Sequence, residues 1–495
     1  MSDESGVALK SATGRGIVLA AVCGSSLAFL DGTVVNVALP HIGDTFDSNM
    51  DSLQWVVNGY TLMLAALVLT AGALGDHYGR RKVFIIGVVW FGLASALCGM
   101  APNVTTLLTA RVLQGIGAGL LTPGSLAIIQ STIRKQDRAR AIGAWSGLGG
   151  VFTAAGPFIG GWLVDGPGWP WVFYINIPVV VLCLVATLKF VPESRDPAAN
   201  GRFDLVGSGL GMIGLGGITF ALVQSGARAA SLTAAVIGVA AFVAFVVVER
   251  RRRAPMLPPA MFANRQFSAI NAVTFGIYAG LSGVLFFLVM QLQVVSHYSA
   301  FAAGITMLPF TILMLLFSSR AGAVAERLGP RLPLTLGPAL SAVGVLLLLT
   351  VGPHAPYLTH VLPGVLIIGI GMTITVAPLT AGVLAAADSS HAGVASGINN
   401  AVARAASLLA VAALPLAAGI TGRAYQDPAA FDSGFRIAVF ICAALFAASA
   451  LTSVLLVRNP AKTAPEPTQP ACRTQCAVGA PQLDPGLEPA PATNQ

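Results

Sequence analysis

Two ionisable side chains interrupt apolar runs of the chain: Asp31, within "LDGTVVNVALP", and Arg111, within "RVLQGIGAG". An ion inside hydrocarbon is costly, so an intramembrane charge is a functional candidate by default. Asp31 is the only carboxylate that the sequence places well inside such a run. It precedes Ala38, where its run ends, by seven residues, and Arg111 follows Val104, where its own begins, by seven. At 1.5 Å per residue both lie roughly 10 Å beneath one interface, and they meet if their helices are neighbours. Burial favours a protonated carboxyl, whereas a nearby guanidinium favours the carboxylate. A change in their contact or hydration would therefore make Asp31 bind or release a proton. The chemistry is reversible proton carriage, with Asp31 as carrier and Arg111 as its tuner. The alternative is a structural ion pair that only fixes two helices.

A second concentration of charge is "GALGDHYGRRK", residues 72–82, with one acid, one histidine and three bases in eleven positions. The stretch "GAVAERLGPR" at 322–331 repeats its pattern. Gly72 aligns with Gly322, Leu74 with Val324, Asp76 with Glu326, Gly79 with Gly329 and Arg81 with Arg331. Glycines let the chain turn sharply and backbones approach. An acid at a helix end can hold a neighbouring helix N-terminus or a base such as Arg80. Such a contact would form in one conformation and break in the other, which makes Gly72, Asp76, Gly79, Arg80, Arg81, Glu326, Gly329 and Arg331 candidates for a conformational latch. A plain basic topogenic loop would need only the bases.

The elements that must position these groups follow from composition. The chain has 495 residues, 55% hydrophobic and 10% charged, with mean hydropathy +0.78. A soluble fold of this size carries about 25% charged residues. Apolar runs of roughly 20 residues recur throughout and predict membrane-spanning helices, not the short alternating strands of a barrel. Fourteen spans are expected: 16–38, 53–74, 83–101, 104–129, 139–163, 170–191, 205–225, 230–248, 268–290, 300–319, 332–352, 360–387, 395–420 and 434–457. The first is uncleaved rather than a signal peptide. Even-numbered loops hold Arg80, Arg81, Lys82, Arg134, Lys135, Arg138, Arg140, Arg195, Arg202, Arg250 to Arg253, Arg265, Arg320, Arg327 and Arg331. The loop with Asp388 and His391 is the exception, and odd loops are nearly free of bases. Basic loops mark the cytoplasmic side, so both termini are expected there. This placement accounts for the net charge of +8 without a nucleic-acid partner. Cys23, Cys98, Cys183 and Cys442 read as small hydrophobes. Cys472 and Cys476 lie in a Pro-rich tail beyond Arg458, expected to be disordered. The expected organisation is a cytoplasmic N-terminus at 1–15, a six-helix bundle at 16–191, a linker with two additional helices at 192–267, a second six-helix bundle at 268–457 and the tail at 458–495.

The loop at 72–82 resembles the signature loop of the major facilitator superfamily, between spans 2 and 3. "LDGTVVNVALP" at 30–40 is similar to the first-span motif of its fourteen-span drug:proton antiporters, and "RVLQGIGAG" at 111–119 to their fourth-span motif. "GVFTAAGPFIGG" at 150–161 resembles the antiporter motif of span 5, with Gly143, Gly156, Pro157, Gly160 and Gly161 in place and Phe152 where that pattern has glycine. "WPWVFYINIP" at 169–178 resembles a shared stretch, with Pro170 in place of the usual arginine. The resemblance implies an all-α polytopic membrane protein with the major facilitator fold: two pseudo-symmetric six-helix bundles and two extra central helices. It implies proton-coupled export of drugs or small lipophilic or toxic compounds by alternating access. A proton-coupled uptake symporter and a dedicated metabolite exporter share that fold and stay open.

Read from residues alone, Pro157 can kink span 5 and Gly156 with Gly160 forms a GxxxG face, which suits either a seal against proton leak or plain packing. The resemblance favours the seal. Asn36, Asn58, Gln114 and Asn399 are candidate substrate-lining residues. Asn400 and Arg404 share span 13 with Asn399, where polar groups line a cavity or join helices. Trp55 and Tyr60 suit interface anchors. Span 10 has no acid between Tyr298 and Arg320, against a second acidic cation site. No Gly-Lys dipeptide and no His-Glu-x-x-His occurs, against a P-loop pump or a zinc protease. The expected protein is therefore no enzyme. It takes no cofactor or metal, and its partners are a small-molecule substrate, protons and the lipid bilayer. A monomer in a bacterial plasma membrane is expected.

Overall fold

The computed structural model describes residues 6–195, 204–224, 228–252, 255, 257–386 and 392–459. Asp388, His391, Arg202, Arg253, Cys472, Cys476 and the tail from 460 onward lie outside them. The regular structure of the described residues is helical apart from one isolated bridge, Val7 to Ile133. In hydrocarbon every backbone N–H and C=O must be satisfied within its own segment, which is why apolar runs of this length become helices.

The first bundle comprises α1 (Ala12–Phe46), α2 (Met50–Tyr78), α3 (Arg80–Gly99), α4 (Val104–Thr132), α5 (Lys135–Asp165) and a broken sixth span, α6 (Trp171–Tyr174) with α7 (Asn176–Phe190). A hairpin follows, α8 (Leu205–Val223) and α9 (Arg228–Arg251). The second bundle comprises α10 (Arg265–Val294), α11 (Ala300–Ile305) continued by α12 (Leu308–Leu328), α13 (Arg331–Leu347), α14 (Leu362–Ala385), α15 (Ala392–Ala417) and α16 (Pro428–Leu456). Among the described residues thirteen helices are long and apolar enough to cross a membrane; α2, bent by 51° between Val68 and Thr70, makes fourteen.

The helices overrun the apolar stretches because their caps are polar residues beyond them. Ser11 accepts from Gly14 N, Asn49 from Ser52 N, Asn103 from Thr106 N and Asp427 from Ala429 N. Each satisfies an orphan donor of the first turn. α1 continues past Ala38 through Pro40 and stops only where Asp47 turns left-handed at φ 45°.

Glycine sets how closely the helices approach. A Cβ on Gly115 would stand 2.5 Å from Tyr60 O, and one on Gly117 2.6 Å from Phe91 N, so "GIGAG" presses α4 onto α2 and α3 at once. In the hairpin a Cβ on Gly238 would stand 2.6 Å from Ile218 N. The hairpin lies against both bundles: α8 packs on α2, with Trp55 and Phe220 rings 6.2 Å apart and Thr70 bonded to Ser208, and also on α15.

The two ends of the molecule differ. At the end carrying the α1–α2 turn the bundles are tied together. Arg423 pairs with Asp47 at 2.6 Å, Met50 N donates to Gly422 O at 2.7 Å, and Gln54 Nε2 donates to Val411 O at 2.8 Å. Tyr425 donates its hydroxyl to Ser48 O at 2.8 Å. Burial pushes that hydroxyl above its ordinary range, so it remains a donor across physiological pH. At the opposite end, where the basic loops lie, α5 is bare: of its described side chains from 143 to 153 only Gly149 is buried, and a Cβ on Gly143, Gly147 or Gly150 would meet nothing within 4 Å.

Candidate functional site

Asp31 and Arg111 meet. Arg111 Nη1 stands 2.5 Å from Asp31 Oδ2, with the two side chains 1% and 0% exposed. The carboxylate has further donors: Gln114 Nε2 at 2.8 Å and Asn176 Nδ2 at 3.3 Å, both on Oδ1. Four helices therefore converge on one buried anion, α1 with Asp31, α4 with Arg111 and Gln114, α7 with Asn176, and α3 with Ser95. The Ser95 hydroxyl accepts from Gln114 at 3.2 Å and Asn176 at 3.0 Å and donates to Phe173 O at 2.8 Å. The guanidinium is fixed too. Its Nη1 also donates to Gln114 Oε1 at 2.7 Å, its Nε donates to Val56 O at 2.8 Å, and its Cζ lies 4.4 Å from the centre of the Tyr60 ring. Buried ions persist only when paired and hydrogen-bonded, and both of these are.

Arg111 sits seven residues into α4, as the sequence implies, but Asp31 sits fifteen residues before the end of α1. The difference is the overrun of α1 past the apolar run. Tyr60 is 2% exposed and donates to Ala28 O at 3.2 Å, so it forms one wall of the ion pair rather than an interface anchor. Gln114 is inside the network. Asn176, Ser95 and Tyr60 were not legible as members, since a lone polar residue in an apolar run gives no sign of partners 19 to 145 residues away.

The repeated loops share backbone and side-chain geometry. Gly79 (φ 114°) and Gly329 (φ 79°) both have positive φ and each ends a helix; Gly79 also opens α3, whereas Pro330 opens α13. Arg81 Nη2 donates to Leu188 O at 2.8 Å and Arg331 Nη2 to Val454 O at 2.7 Å. Both arginines thus cap the last helix of their own bundle, each on the carbonyl two residues before its end. Asp76 pairs with Arg80 at 2.7 Å, whereas the α3 N-terminus is held by Glu193, which accepts from Arg81 N and Lys82 N at 3.1 and 3.2 Å. Glu193 was missed because it lies outside the loop. The Glu326 side chain is outside the described residues. Gly72 faces α4, where its Cβ would meet Pro123 at 3.9 Å.

The span-5 motif is used on two sides. A Cβ on Gly156 would stand 1.9 Å from Thr33 Oγ1 and one on Gly160 2.9 Å from Val34, so this face lies on α1 within three residues of Asp31. A Cβ on Gly161 would stand 2.4 Å from Ala300 O, and one on Gly304 2.1 Å from Pro157 O. That second face belongs to the other bundle. Asp165, at the end of α5, then accepts from Ala300 N at 3.1 Å and Phe301 N at 2.8 Å.

Of the remaining polar candidates, Asn36 is half-buried on α1. Asn58 is fully buried, and neither its amide nitrogen nor its oxygen has a partner. Asn399 joins α15 to α10 through Thr274 at 2.7 Å and Asn271 at 3.2 Å, which makes it a joint between helices. Asn400 is exposed and Arg404 half-buried. Among the described residues no cluster of His, Cys, Asp and Glu could hold a metal.

A family model described as Major Facilitator Superfamily matches residues 21–411. The chain is 35% identical over 392 residues to the multidrug resistance protein Stp of Mycobacterium tuberculosis, covering 78% of this chain and 72% of that one. It is 34% identical over 409 residues to the methylenomycin A resistance protein of Bacillus subtilis, covering 81% and 87%. Its fold matches a crystal structure of a D-xylose-proton symporter with TM-score 0.64, covering 90% of this chain and 98% of that one; at 15% identity the likeness is one of fold.

Proposed function

The chain belongs to the major facilitator superfamily, and from that premise we propose that it is a proton-coupled exporter of drugs or other small lipophilic or toxic compounds, acting by alternating access in the plasma membrane. The observation that carries the coupling is the buried Asp31–Arg111 pair. Three donors hold this carboxylate in a site shut from water, and the coupling reading requires one of them to withdraw before a proton can reach it. Alternating access supplies the withdrawal. Gly156 and Gly160 couple α5 to α1 beside Asp31, while Gly161 and Asp165 couple α5 to the second bundle. When the bundles part at the α1–α2 end, α5 moves against α11 and shifts α1 relative to α4. Asp31 then takes up a proton, and closing returns it to Arg111 and expels the proton at the other face.

The basic loops lie at one end of the molecule, which supports a cytoplasmic position for that end and for both termini. The protein then stands closed toward the exterior, ready to take substrate from inside. The span-5 packing favours export over uptake, since it seals the pathway beside the proton carrier. A single carrier unit needs no second copy for this cycle, consistent with a monomer. Asp31→Asn is expected to abolish pH-gradient-driven efflux from proteoliposomes while the protein still reaches the membrane; efflux by this variant at the wild-type rate overturns the coupling role. Net uptake under the same gradient would instead assign a symporter.

A further inference from the structure

Arg404 is the charge that the coupling site leaves unused. It lies twelve residues from one end of α15 and thirteen from the other, roughly 18 Å from each, too deep to reach an interface. Among the described residues it has no ion pair and no hydrogen bond. From 257 to 457 the sequence holds only four acids: Asp427 and Asp432 lie in or beside the first two turns of α16, Glu326 lies in the last turn of α12, and Asp388 is outside the described residues. Asp31 is already taken by Arg111, Gln114 and Asn176.

The register of the two bundles shows where Arg404 points. Gln54 of α2 bonds the carbonyls of Val411 and Ala412 on α15. Six residues inward along α2 stands Tyr60, and seven residues inward along antiparallel α15 stands Arg404, about 9 and 10.5 Å from that contact. Arg404 precedes Val411 by two turns, so it lies on the same face of α15 that meets α2. Tyr60 belongs to the opposite bundle and walls the proton site, so Arg404 faces the space between bundles. Asn58, one turn inward of Gln54 on the same face of α2, adds a buried amide with both polar atoms unpaired. Asn400 lies one turn from Arg404 on its own helix, and it is exposed.

We propose that Arg404 is the substrate-recognition cation of the central cavity, and that the compound exported carries a carboxylate, sulfonate, phosphate or comparable anionic group. An unpaired guanidinium at mid-membrane depth is a standing cost that an anionic ligand removes. This rests on the export reading above and narrows its substrate class.

The test measures binding and flux of two xanthene dyes of similar shape, fluorescein as the anion and a rhodamine methyl ester as the cation. The proteins are wild type, Arg404→Gln, Arg404→Lys and Asp31→Asn, each checked by thermal melting. Wild type is expected to bind fluorescein at least tenfold more tightly than the rhodamine. Arg404→Gln is expected to weaken fluorescein binding by at least tenfold and leave the rhodamine unchanged, and Arg404→Lys to restore part of the loss. The proposal is overturned if wild type does not bind fluorescein, binds both dyes equally, or binds fluorescein unchanged after Arg404→Gln. Asp31→Asn separates the two ideas: it should bind fluorescein normally yet fail to move it against a pH gradient. Uncoupled Asp31→Asn with unaffected Arg404→Gln sinks the anion site alone; coupled Asp31→Asn with impaired Arg404→Gln sinks the proton role alone.

Discussion

A buried guanidinium can be lost in two ways, and they differ in consequence. Arg111→Leu leaves the Asp31 carboxylate enclosed with only two amide donors, and removing one partner of a buried pair costs about 3–5 kcal/mol. The double variant Asp31→Asn with Arg111→Gln removes both charges and keeps polar groups in place. It is expected to melt closer to wild type than Arg111→Leu does, although neither couples protons; a single variant as stable as the double one would show that the pair is not desolvated in the folded protein. The two ions were legible in the sequence because a charge in an apolar run announces itself. Their helpers were not. Asn176 and Ser95 are ordinary small polar residues, and only the convergence of α3 and α7 gives them a role.

Among the helices, α5 carries one motif under two opposite constraints. Gly156→Ala and Gly161→Ala each push a methyl into backbone or a β-branched neighbour, whereas Gly143→Ala adds it to open space. Overpacking costs typically about 1–3 kcal/mol. We expect the first two variants to slow efflux at least tenfold and Gly143→Ala to stay within about twofold, since Ala also favours the helix by up to about 1 kcal/mol. Parallel efflux assays of the three at equal membrane levels check this. Gly79→Ala and Gly329→Ala meet a different obstacle, a positive φ, and each should lower the melting temperature of the whole protein by a similar amount. Fourteen spans were visible in the sequence because the bilayer allows lipid-exposed backbone only as helix or closed barrel. Their ends were not, because caps such as Ser11 and Asp47 lie outside the apolar stretch that marks a span.

The molecule as a whole is held shut by a short set of contacts at the α1–α2 end. Most are exposed or single bonds: Arg423 and Asp47 are 64% and 69% exposed, and such pairs contribute about 0–1 kcal/mol. Tyr425→Phe removes one neutral hydrogen bond, worth about 1 kcal/mol, and the loss should be equal at pH 6 and pH 8 because the buried hydroxyl does not ionise between them. Accessibility of a cysteine placed at buried Ala300 to an impermeant maleimide reports the population open at this end, and a pH-dependent difference between Tyr425→Phe and wild type would contradict this assignment. If a proton enters as an anion leaves, both movements carry charge in one sense. An inside-negative potential should then drive export without a pH gradient, by about 2.3 kcal/mol per charge for each 100 mV.

Asp165 closes that end in an unusual manner, since the helix whose first turn it satisfies begins in the opposite half of the protein. Separation strips two amide hydrogens and a carboxylate of their mates in a single motion. Asp165 is itself exposed, and His41, Asp44 and Gln293 line the same crevice, so water can take over those bonds as the halves part. On the proposed cycle, the entry a hydronium would use toward Asp31 is wetted by that same displacement.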